Sequence, residues 1–233
     1  MVSIVTGRGP RPKQRRLSAR GRRFQRRLLA WYARHQRALP WRGVRDPYAV
    51  LVSEIMLQQT QVARVVEYYP RFLAAYPTLE DLAAAPAAAV RERWEGLGYY
   101  ARARNLHAAA RYVVHDLHGV LPRRAEDLRR LPGIGRYTAG AVASLAFGAP
   151  EPAVDTNAAR VIARVFGVRG RRRGVAAERR VWGLGAVLVP PRRAADWNQA
   201  LMDLGATICT ARRPRCPVCP VRRHCDRGTR RRA

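Results

Sequence analysis

Four cysteines lie close together near the end of the sequence and are the only cysteines in it. They are Cys209, Cys216, Cys219 and Cys225, separated by six, two and five residues. No secretory segment is recognisable, and 233 residues can bury a core without covalent cross-links, so we do not expect disulfides. The spacing therefore predicts four thiolate ligands of one metal centre.

Two kinds of metal centre use four thiolates. A zinc ribbon binds one ion, but its cysteines usually form two separated CxxC pairs. A cubane iron-sulfur cluster suits a single CxxC pair flanked by longer gaps. The spacing favours the cluster and leaves zinc as the alternative.

The sequence is strongly basic. Its 45 Lys and Arg residues against 16 Asp and Glu residues give a formal net charge of +29, and all of the 45 except Lys13 are arginine. This predicts nucleic acid as the partner, with a solvated basic surface as the alternative. Residues 1–45 lack Asp and Glu. We expect residues 1–22 to form a disordered basic arm that adds DNA affinity, and residues 229–233 to form a basic tail.

Hydrophobic periodicity predicts helices along most of the chain and no convincing strand, so the predicted fold class is all-α. The first helix includes Phe24, and Asp46 with Pro47 is typical of the N-cap and first turn of the second. Further helices are predicted over residues 62–76, 87–97, 102–117, 125–131, 136–147, 157–166, 177–187 and 197–208. No apolar run is long enough to span a membrane, and we expect a cytoplasmic protein without a membrane partner.

A glycine-rich turn, Leu-Pro-Gly-Ile-Gly-Arg over residues 131–136, separates two predicted helices. The backbone NH groups that follow Gly133 and Gly135 are free to hold a phosphate. A dinucleotide-binding loop is excluded, because no strand precedes the turn and a third glycine is missing. A plain interhelical turn is the alternative to a helix-hairpin-helix that grips the DNA backbone, which the basic charge favours.

Glu54 and Asp155 are candidate buried carboxylates. Glu54 lies in a mostly apolar helix, and Asp155 directly precedes another helix. Each has an ordinary alternative, a surface glutamate and a helix N-cap respectively. Together with a DNA-binding hairpin, the pair suits cleavage of a glycosidic bond, in which one group protonates the leaving base and the other stabilises the cation-like sugar.

As a set, these motifs resemble the helix-hairpin-helix DNA glycosylases, and most closely the adenine glycosylase family MutY. The resemblance runs from about Phe24 to Cys225. It rests on LPWR at 39–42, SEIMLQQTQV at 53–62, GLGYYAR at 96–102, the hairpin, VD at 154–155, NQALMDLG at 198–205 and the four cysteines.

The resemblance implies a two-lobed all-α fold. Residues 42–151 would form a six-helix barrel that carries the hairpin, and residues 23–41 and 152–228 would form a lobe around a [4Fe-4S] cluster held by the four cysteines. The active site would lie between the lobes. The implied partner is double-stranded DNA containing a mispaired adenine, bound by a monomer at the bacterial nucleoid.

The implied reaction is hydrolysis of the N-glycosidic bond of adenine opposite guanine or 8-oxoguanine, after the base has left the duplex stack. Glu54 would protonate the purine at N7, and Asp155 would stabilise the oxocarbenium-like sugar. Tyr137 and Asn157 would support this pair by hydrogen bonding. Relatives with lyase activity carry a lysine where this sequence has Tyr137, so the resemblance implies a monofunctional enzyme.

Other positions match the family's contacts to DNA. The adenine pocket would be lined by Trp41, Arg42 and Asp203. The surroundings of the opposite base would include Gln58, Gln59, Thr60, Leu97 and Tyr99. For Leu97 and Tyr99, packing is the alternative role.

Two departures keep other hypotheses open. Many relatives continue into a Nudix-like domain that recognises 8-oxoguanine, whereas this sequence ends eight residues after Cys225. We therefore expect the preference for 8-oxoguanine to be weakened or met by other means. Tyr137 is also similar to the tyrosine of thymine mismatch glycosylases, so thymine or uracil removal is the second hypothesis. A non-catalytic iron-sulfur DNA-binding protein is the third.

Overall fold

The computed structural model describes residues 17–168 and 174–227, and within these ranges it is all-α, as predicted. The helices are α1 (Ala19–His35), α2 (Pro47–Met56), α3 (Val62–Ala75), α4 (Leu79–Ala84), α5 (Ala87–Arg93), α6 (Ala101–Asp116), α7 (Ala125–Leu128), α8 (Arg136–Leu145), α9 (Thr156–Val165), α10 (Val175–Leu188) and α11 (Ala194–Thr207). Two 3₁₀ turns follow, η1 (Cys216–Val218) and η2 (Arg222–His224). None of these described helices is long and apolar enough to cross a membrane.

The helix starts follow local capping chemistry. Asp46 caps α2 by accepting a hydrogen bond from the backbone NH of Ala49 at 2.6 Å, with Pro47 in the first turn, as predicted. Helix α4 was not predicted, although Thr78 and Asp81 form a reciprocal capping box that marks its start. That four-residue signal is visible in the sequence but precedes a helix too short to show periodicity.

Helix α1 begins earlier than the sequence predicted. Ser18 caps it by accepting from the backbone NH of Gly21 at 3.1 Å, so residues 19–22 are helical and do not belong to the basic arm. Residues 1–16 of the predicted arm, and the tail predicted at 229–233, lie outside the described residues.

The buried side chains form two separate hydrophobic cores. The first is built by α2 to α8 around residues such as Trp94 and Leu106, and the second by α1 and α9 to α11 around Phe24 and Trp197. In the second core the rings of Phe24 and Trp197 meet edge to face, with centroids 5.4 Å apart. The lobe boundaries predicted at residues 41 and 151 stay a prediction.

Helices α8 and α11 connect the two cores. Helix α8 packs against α2 in the first core and against α11 in the second, and α11 also packs against α9 and α1. The segment that leads into α9 packs against α8, where the carbonyl oxygen of Pro152 lies against Gly140. This arrangement brings Glu54 on α2, Tyr137 on α8 and Asp155 before α9 to one place.

Candidate active site between the two cores

Glu54 is a buried acid with its carboxyl partly unsatisfied. Every residue of α2 after Pro47 is buried, so this helix offers no face to water, and Glu54 is only 4% exposed. Burial is the main reason that its pKa rises from 4.5 to about 7; Tyr137 and Arg42 oppose the rise, and Asp155 adds to it. Its Oε2 has no hydrogen-bond partner among the described residues. A substantial fraction of the group is therefore protonated at neutral pH, and Oε2 is free for a ligand.

Asp155 is held rigidly at the start of α9. Its Oδ1 accepts from the backbone NH of Ala158 at 2.7 Å, and its Oδ2 accepts from the amide of Asn157 at 2.9 Å. The residue is thus an N-cap and at the same time a carboxylate next to Glu54. Donors on both oxygens fix the orientation of this carboxyl group.

Tyr137 lies between the two acids. It is in the first turn of α8, and its pKa rises well above 10 because of burial and then because of the negative charges of Glu54 and Asp155. Its hydroxyl also donates a long hydrogen bond to Sδ of Met202 at 3.9 Å. The structure thus brings together Glu54, Asp155, Tyr137 and Asn157, the four residues predicted to carry the chemistry.

Close backbone packing holds the segment that carries Asp155. A Cβ on Gly140 of α8 would clash with the carbonyl oxygen of Pro152, and a Cβ on Gly205 of α11 would lie 2.6 Å from Cβ of Asn157. Two helices from different cores therefore approach residues 152–157 more closely than any residue with a side chain allows. The position of Asp155 depends on these glycines.

Arg42 and Asp203 form a buried ion pair beside Glu54. Asp203 is completely buried, and its Oδ1 accepts from the guanidinium groups of Arg37 and Arg42, each at 2.7 Å. Arg42 also donates to the hydroxyl of Tyr32 at 2.8 Å. Of the predicted pocket residues, Arg42 lies close enough to Glu54 to lower the pKa of its carboxyl. Asp203 does not act on Glu54 directly but fixes the position of Arg42 through their ion pair.

Trp41, the third predicted pocket residue, is also buried. It is 7% exposed and packs edge to face against Tyr69, with ring centroids 5.7 Å apart. The structure therefore places Trp41 in the first hydrophobic core.

The residues predicted around the opposite base lie on two neighbouring loops. Gln59, three residues after the end of α2, and Tyr99, before α6, both have positive φ angles, 56° and 48°. Tyr99 is 59% exposed, whereas Leu97 is buried in the first core at 5%. Gln58 donates to the hydroxyl of Thr138 on α8 at 3.2 Å, and Thr60 donates to the carbonyl of Leu97 at 3.4 Å. Gln59 and Tyr99 are thus the exposed side chains of this set.

Arg102 joins these two loops and was missed by sequence reasoning. Its guanidinium lies 5.4 Å from the ring centroid of Trp94 and 5.5 Å from that of Tyr99. It donates to the carbonyl oxygens of residues 55, 56, 58, 97 and 98 and to the hydroxyl of Thr60, at 2.5–3.0 Å. These buried carbonyl oxygens would otherwise need water as a donor. Because one guanidinium group bonds to both loops, it holds them in a fixed position relative to each other. Its place directly after the GLGYYA segment was the signal available in the sequence.

The predicted hairpin is a compact turn with free donors. Gly133 has a φ of 72° and packs against Asn105, and Gly135 is the N-cap of α8 without a side-chain partner for the first NH groups. The guanidinium of Arg136 lies 3.9 Å from the ring centroid of Trp182. This turn can therefore present backbone NH groups and positive charge to a phosphate.

The four cysteines line one small cavity, and none is in a disulfide. Burial, and then repulsion by the other three sulfurs, raises the pKa of the Cys219 thiol to about 11. Across the described residues, no three His, Cys, Asp or Glu side chains are grouped closely enough to hold a single metal ion. In a [4Fe-4S] cluster each thiolate binds a different iron atom, and four thiols around one cavity are a donor set that fits such a cluster.

Two further arginines that the sequence reasoning missed anchor the first cysteine to α9. Arg164 donates to Sγ of Cys209 at 3.3 Å and to the carbonyl of Thr210 at 2.7 Å. Arg160 donates to the carbonyl of Cys209 at 2.7 Å and to Oδ1 of Asn157 at 2.6 Å. The cysteine cavity and the Asp155 segment are therefore two ends of one hydrogen-bonded unit.

The sequence matches the family model of the HhH-GPD superfamily of base excision DNA repair proteins over residues 52–185. This is more than half of the chain. The chain belongs to the HhH-GPD superfamily. The matched region contains Glu54, the hairpin and Asp155, and the family resemblance inferred from the motifs is confirmed.

Curated relatives within the superfamily are adenine DNA glycosylases. The human protein is 49% identical over 211 residues, which cover 87% of this chain and 39% of that protein. The protein of Mycolicibacterium smegmatis is 45% identical over 200 residues, which cover 85% of this chain and 67% of that protein. The chain thus spans about two fifths of the mammalian relatives it matches.

Solved structures show the same fold. A thermostable thymine-DNA glycosylase has a TM-score of 0.83 and 34% identity, with 91% of this chain and 97% of that chain covered. A trapped endonuclease III–DNA covalent intermediate has a TM-score of 0.76 and 28% identity, with 91% and 97% covered. The helix-hairpin-helix glycosylase architecture predicted from the sequence is confirmed.

Proposed function

We propose that this chain is a monofunctional DNA glycosylase of base excision repair that hydrolyses the N-glycosidic bond of adenine mispaired with guanine or 8-oxoguanine. The observation that carries the proposal is the pairing of a buried acid, Glu54, with a hydrogen-bonded carboxylate, Asp155. The proposed substrate is double-stranded DNA, and the proposed location is the cytoplasm, at the bacterial nucleoid. We propose that the enzyme acts as a monomer.

Glu54 acts as the general acid. With a pKa of about 7, a substantial fraction of the carboxyl is protonated at neutral pH, and the unpartnered Oε2 is available to the base. Protonation of adenine at N7 converts a poor leaving group into a neutral one. A pyrimidine has no N7, so this step selects purines.

Asp155 stabilises the positive charge that develops on the sugar as the bond breaks. Its two oxygens are already oriented by Ala158 and Asn157, so little reorganisation accompanies the reaction. Tyr137 lies beside both acids and offers no amine, so a Schiff base with the sugar cannot form there. Water is the proposed nucleophile, and an abasic site is the product.

Adenine is favoured over thymine by the comparisons. Curated adenine glycosylases reach 49% identity with this chain, against 34% for the solved thymine-DNA glycosylase. The high structural similarity to the latter keeps thymine removal as the second candidate.

DNA binding is assigned to the hairpin, to the loops joined by Arg102 and to the basic segment between the first two cysteines. The segment Thr-Ala-Arg-Arg-Pro-Arg over residues 210–215 carries three arginines and is anchored by Arg164. We propose that Cys209, Cys216, Cys219 and Cys225 hold a [4Fe-4S] cluster, which would fix the shape of this segment when bound. Base hydrolysis transfers no electrons, so the cluster has no redox role in the proposed step.

The decisive experiment is single-turnover base release from four duplexes, carrying adenine opposite 8-oxoguanine, adenine opposite guanine, thymine opposite guanine and uracil opposite guanine. We expect release of adenine from the first two, with strand breaks only after alkali. Release of thymine or uracil alone would refute the adenine assignment and the N7 role of Glu54.

Two variants test the residue roles. Glu54→Gln and Asp155→Asn keep shape and hydrogen-bonding capacity but remove the acid and the charge, so each should abolish measurable adenine release while the protein still binds the duplex. Glu95→Gln, at an exposed position, is the matched control and should release adenine normally. Undiminished adenine release by Asp155→Asn would exclude its role at the sugar.

A further inference from the structure

A row of arginines covers the outer face of α1. Phe24 and Leu28 point into the second core, whereas Arg23, Arg27 and Arg34 are exposed and lie four and seven residues apart. Residues at such spacings share one face of a helix, so the three guanidinium groups follow one line over about 16 Å. Neither α1 nor any other residue before Asp46 supplies an acidic side chain to neutralise them.

The 3₁₀ turn η2 adds positive charge to the same surface. It packs against α1, where Arg20 donates to the carbonyl of His224 at 3.0 Å. Arg223 of this turn is exposed. Arg23 and Arg27 follow Arg20 by three and seven residues on α1, so they share the face of the helix that packs against η2.

Arg23, Arg27 and Arg223 have no ion-pair or hydrogen-bond partner among the residues that the structure describes. Arg20, by contrast, is paired with Asp226 and with backbone carbonyls. Arg20 therefore fastens α1 to the segment around Asp226, whereas Arg23, Arg27 and Arg223 present uncompensated charge to solvent. Uncompensated charges of one sign repel each other and are relieved by a polyanion.

This surface lies away from the catalytic residues. Arg20 donates to the carbonyl of Val165, the last residue of α9, whereas Asp155 caps the first turn of α9. Ten helical residues separate these ends by about 15 Å. The arginines near η2 are therefore out of reach of a base bound at Glu54.

We propose that Arg23, Arg27 and Arg223 form a second DNA-binding surface, the arginine patch, which contacts backbone phosphates of duplex DNA beyond the nucleotides held at the active site. The inference rests on the proposed function in that the chain acts on DNA. Contacts of this kind carry no sequence information and strengthen binding in a salt-dependent way. Planar guanidinium groups suit phosphate oxygens because they bind two at once.

The test is the salt dependence of binding to an undamaged duplex, measured between about 50 and 200 mM salt. The triple variant Arg23→Gln, Arg27→Gln, Arg223→Gln should make the negative slope of log affinity against log salt shallower by about 3, close to one for each lost phosphate contact. The triple variant with lysine at the same positions should keep most of the slope. The charge-matched control is Arg71→Gln, Arg111→Gln, Arg180→Gln, all exposed and distant in sequence, which should change the slope by less than about 1.

Two duplex lengths identify the source of the phosphates. If the glutamine variant loses affinity for a long duplex but not for one that ends near the mispair, the patch binds the flank of the same duplex. If the wild-type protein on the short duplex takes up a second labelled duplex and the variant does not, the patch binds a separate segment.

An unchanged slope in the glutamine variant, or an equal loss in the control, would overturn the inference. Adenine release by the wild-type protein is measured in the same preparations. Its absence would count against the proposed function, whereas intact release with an unchanged slope would count against the patch alone.

Discussion

Replacing Glu54 with glutamine should make the protein more stable at high pH. The unfolded chain releases the proton of Glu54 near pH 4.5, whereas the folded protein keeps it until about pH 7. Below pH 4.5 the carboxyl is neutral in both states and does not affect the free energy of unfolding. As the pH rises from 4.5 to 7, only the unfolded state gains the freedom to ionise, so the free energy of unfolding falls.

The size of this effect follows from the two pKa values. A rise from 4.5 to about 7 corresponds to about 3 kcal/mol lost by the time the pH has passed 7. Glutamine has the same shape and does not titrate. Relative to wild type, Glu54→Gln should therefore gain about 2–3 kcal/mol between about pH 5 and about pH 8. The gain is the energy that the native protein gives up to keep a buried acid at its active site.

Urea unfolding at both pH values measures this difference as a change in the midpoint at constant slope. The exposed control Glu95→Gln should follow the wild-type protein at both pH values. A stability difference between Glu54→Gln and wild type that is the same at both pH values would show that Glu54 is not a buried acid with a raised pKa.

Three further predictions concern the supports of the site. Gly140→Ala should destabilise the fold by about 1–3 kcal/mol and slow adenine release about 100-fold, because the new Cβ displaces the segment that carries Asp155. The control Gly183→Ala, on α10 with open space around the new Cβ, should leave the rate of release unchanged and stabilise the fold slightly. Single-turnover rates and thermal unfolding measure both effects. Arg102→Gln should cost about 3–5 kcal/mol in urea unfolding, because buried carbonyls lose their donor, and a cost below about 1 kcal/mol would contradict the two-loop role. Cys219→Ser should lower the iron content and the broad visible absorption of the purified protein, and a colourless wild-type protein with one zinc per chain would refute the cluster assignment.

Several features of this protein were predictable from the sequence because they depend on neighbours in the chain. Asp46 with Pro47 starts α2, and the glycines at 133 and 135 shape the hairpin, through local hydrogen bonds and backbone angles. The cysteine spacing and the family motifs are likewise properties of short segments. Helix α4 escaped prediction because its six residues are too few for periodicity.

Other features depend on residues that only the folded chain brings together. Leu97 and Tyr99 stand two residues apart, yet one is buried at 5% exposure and the other is 59% exposed. Asp203 has the sequence context of a pocket residue, but it is completely buried and accepts hydrogen bonds from two arginines more than 160 positions away. Local patterns do not contain such contacts.

The amino-acid sequence alone specifies the residue types of the site, the helices that carry them and the family. Packing of the folded chain sets which of these residues are buried and which remain exposed. Glu54 illustrates the division: its identity is written in α2, but its pKa of about 7 results from burial by the packed core and from the nearby charge of Asp155. Burial and charge proximity arise from contacts between residues that are distant in the sequence. The raised pKa of Glu54 is therefore a property of the folded chain.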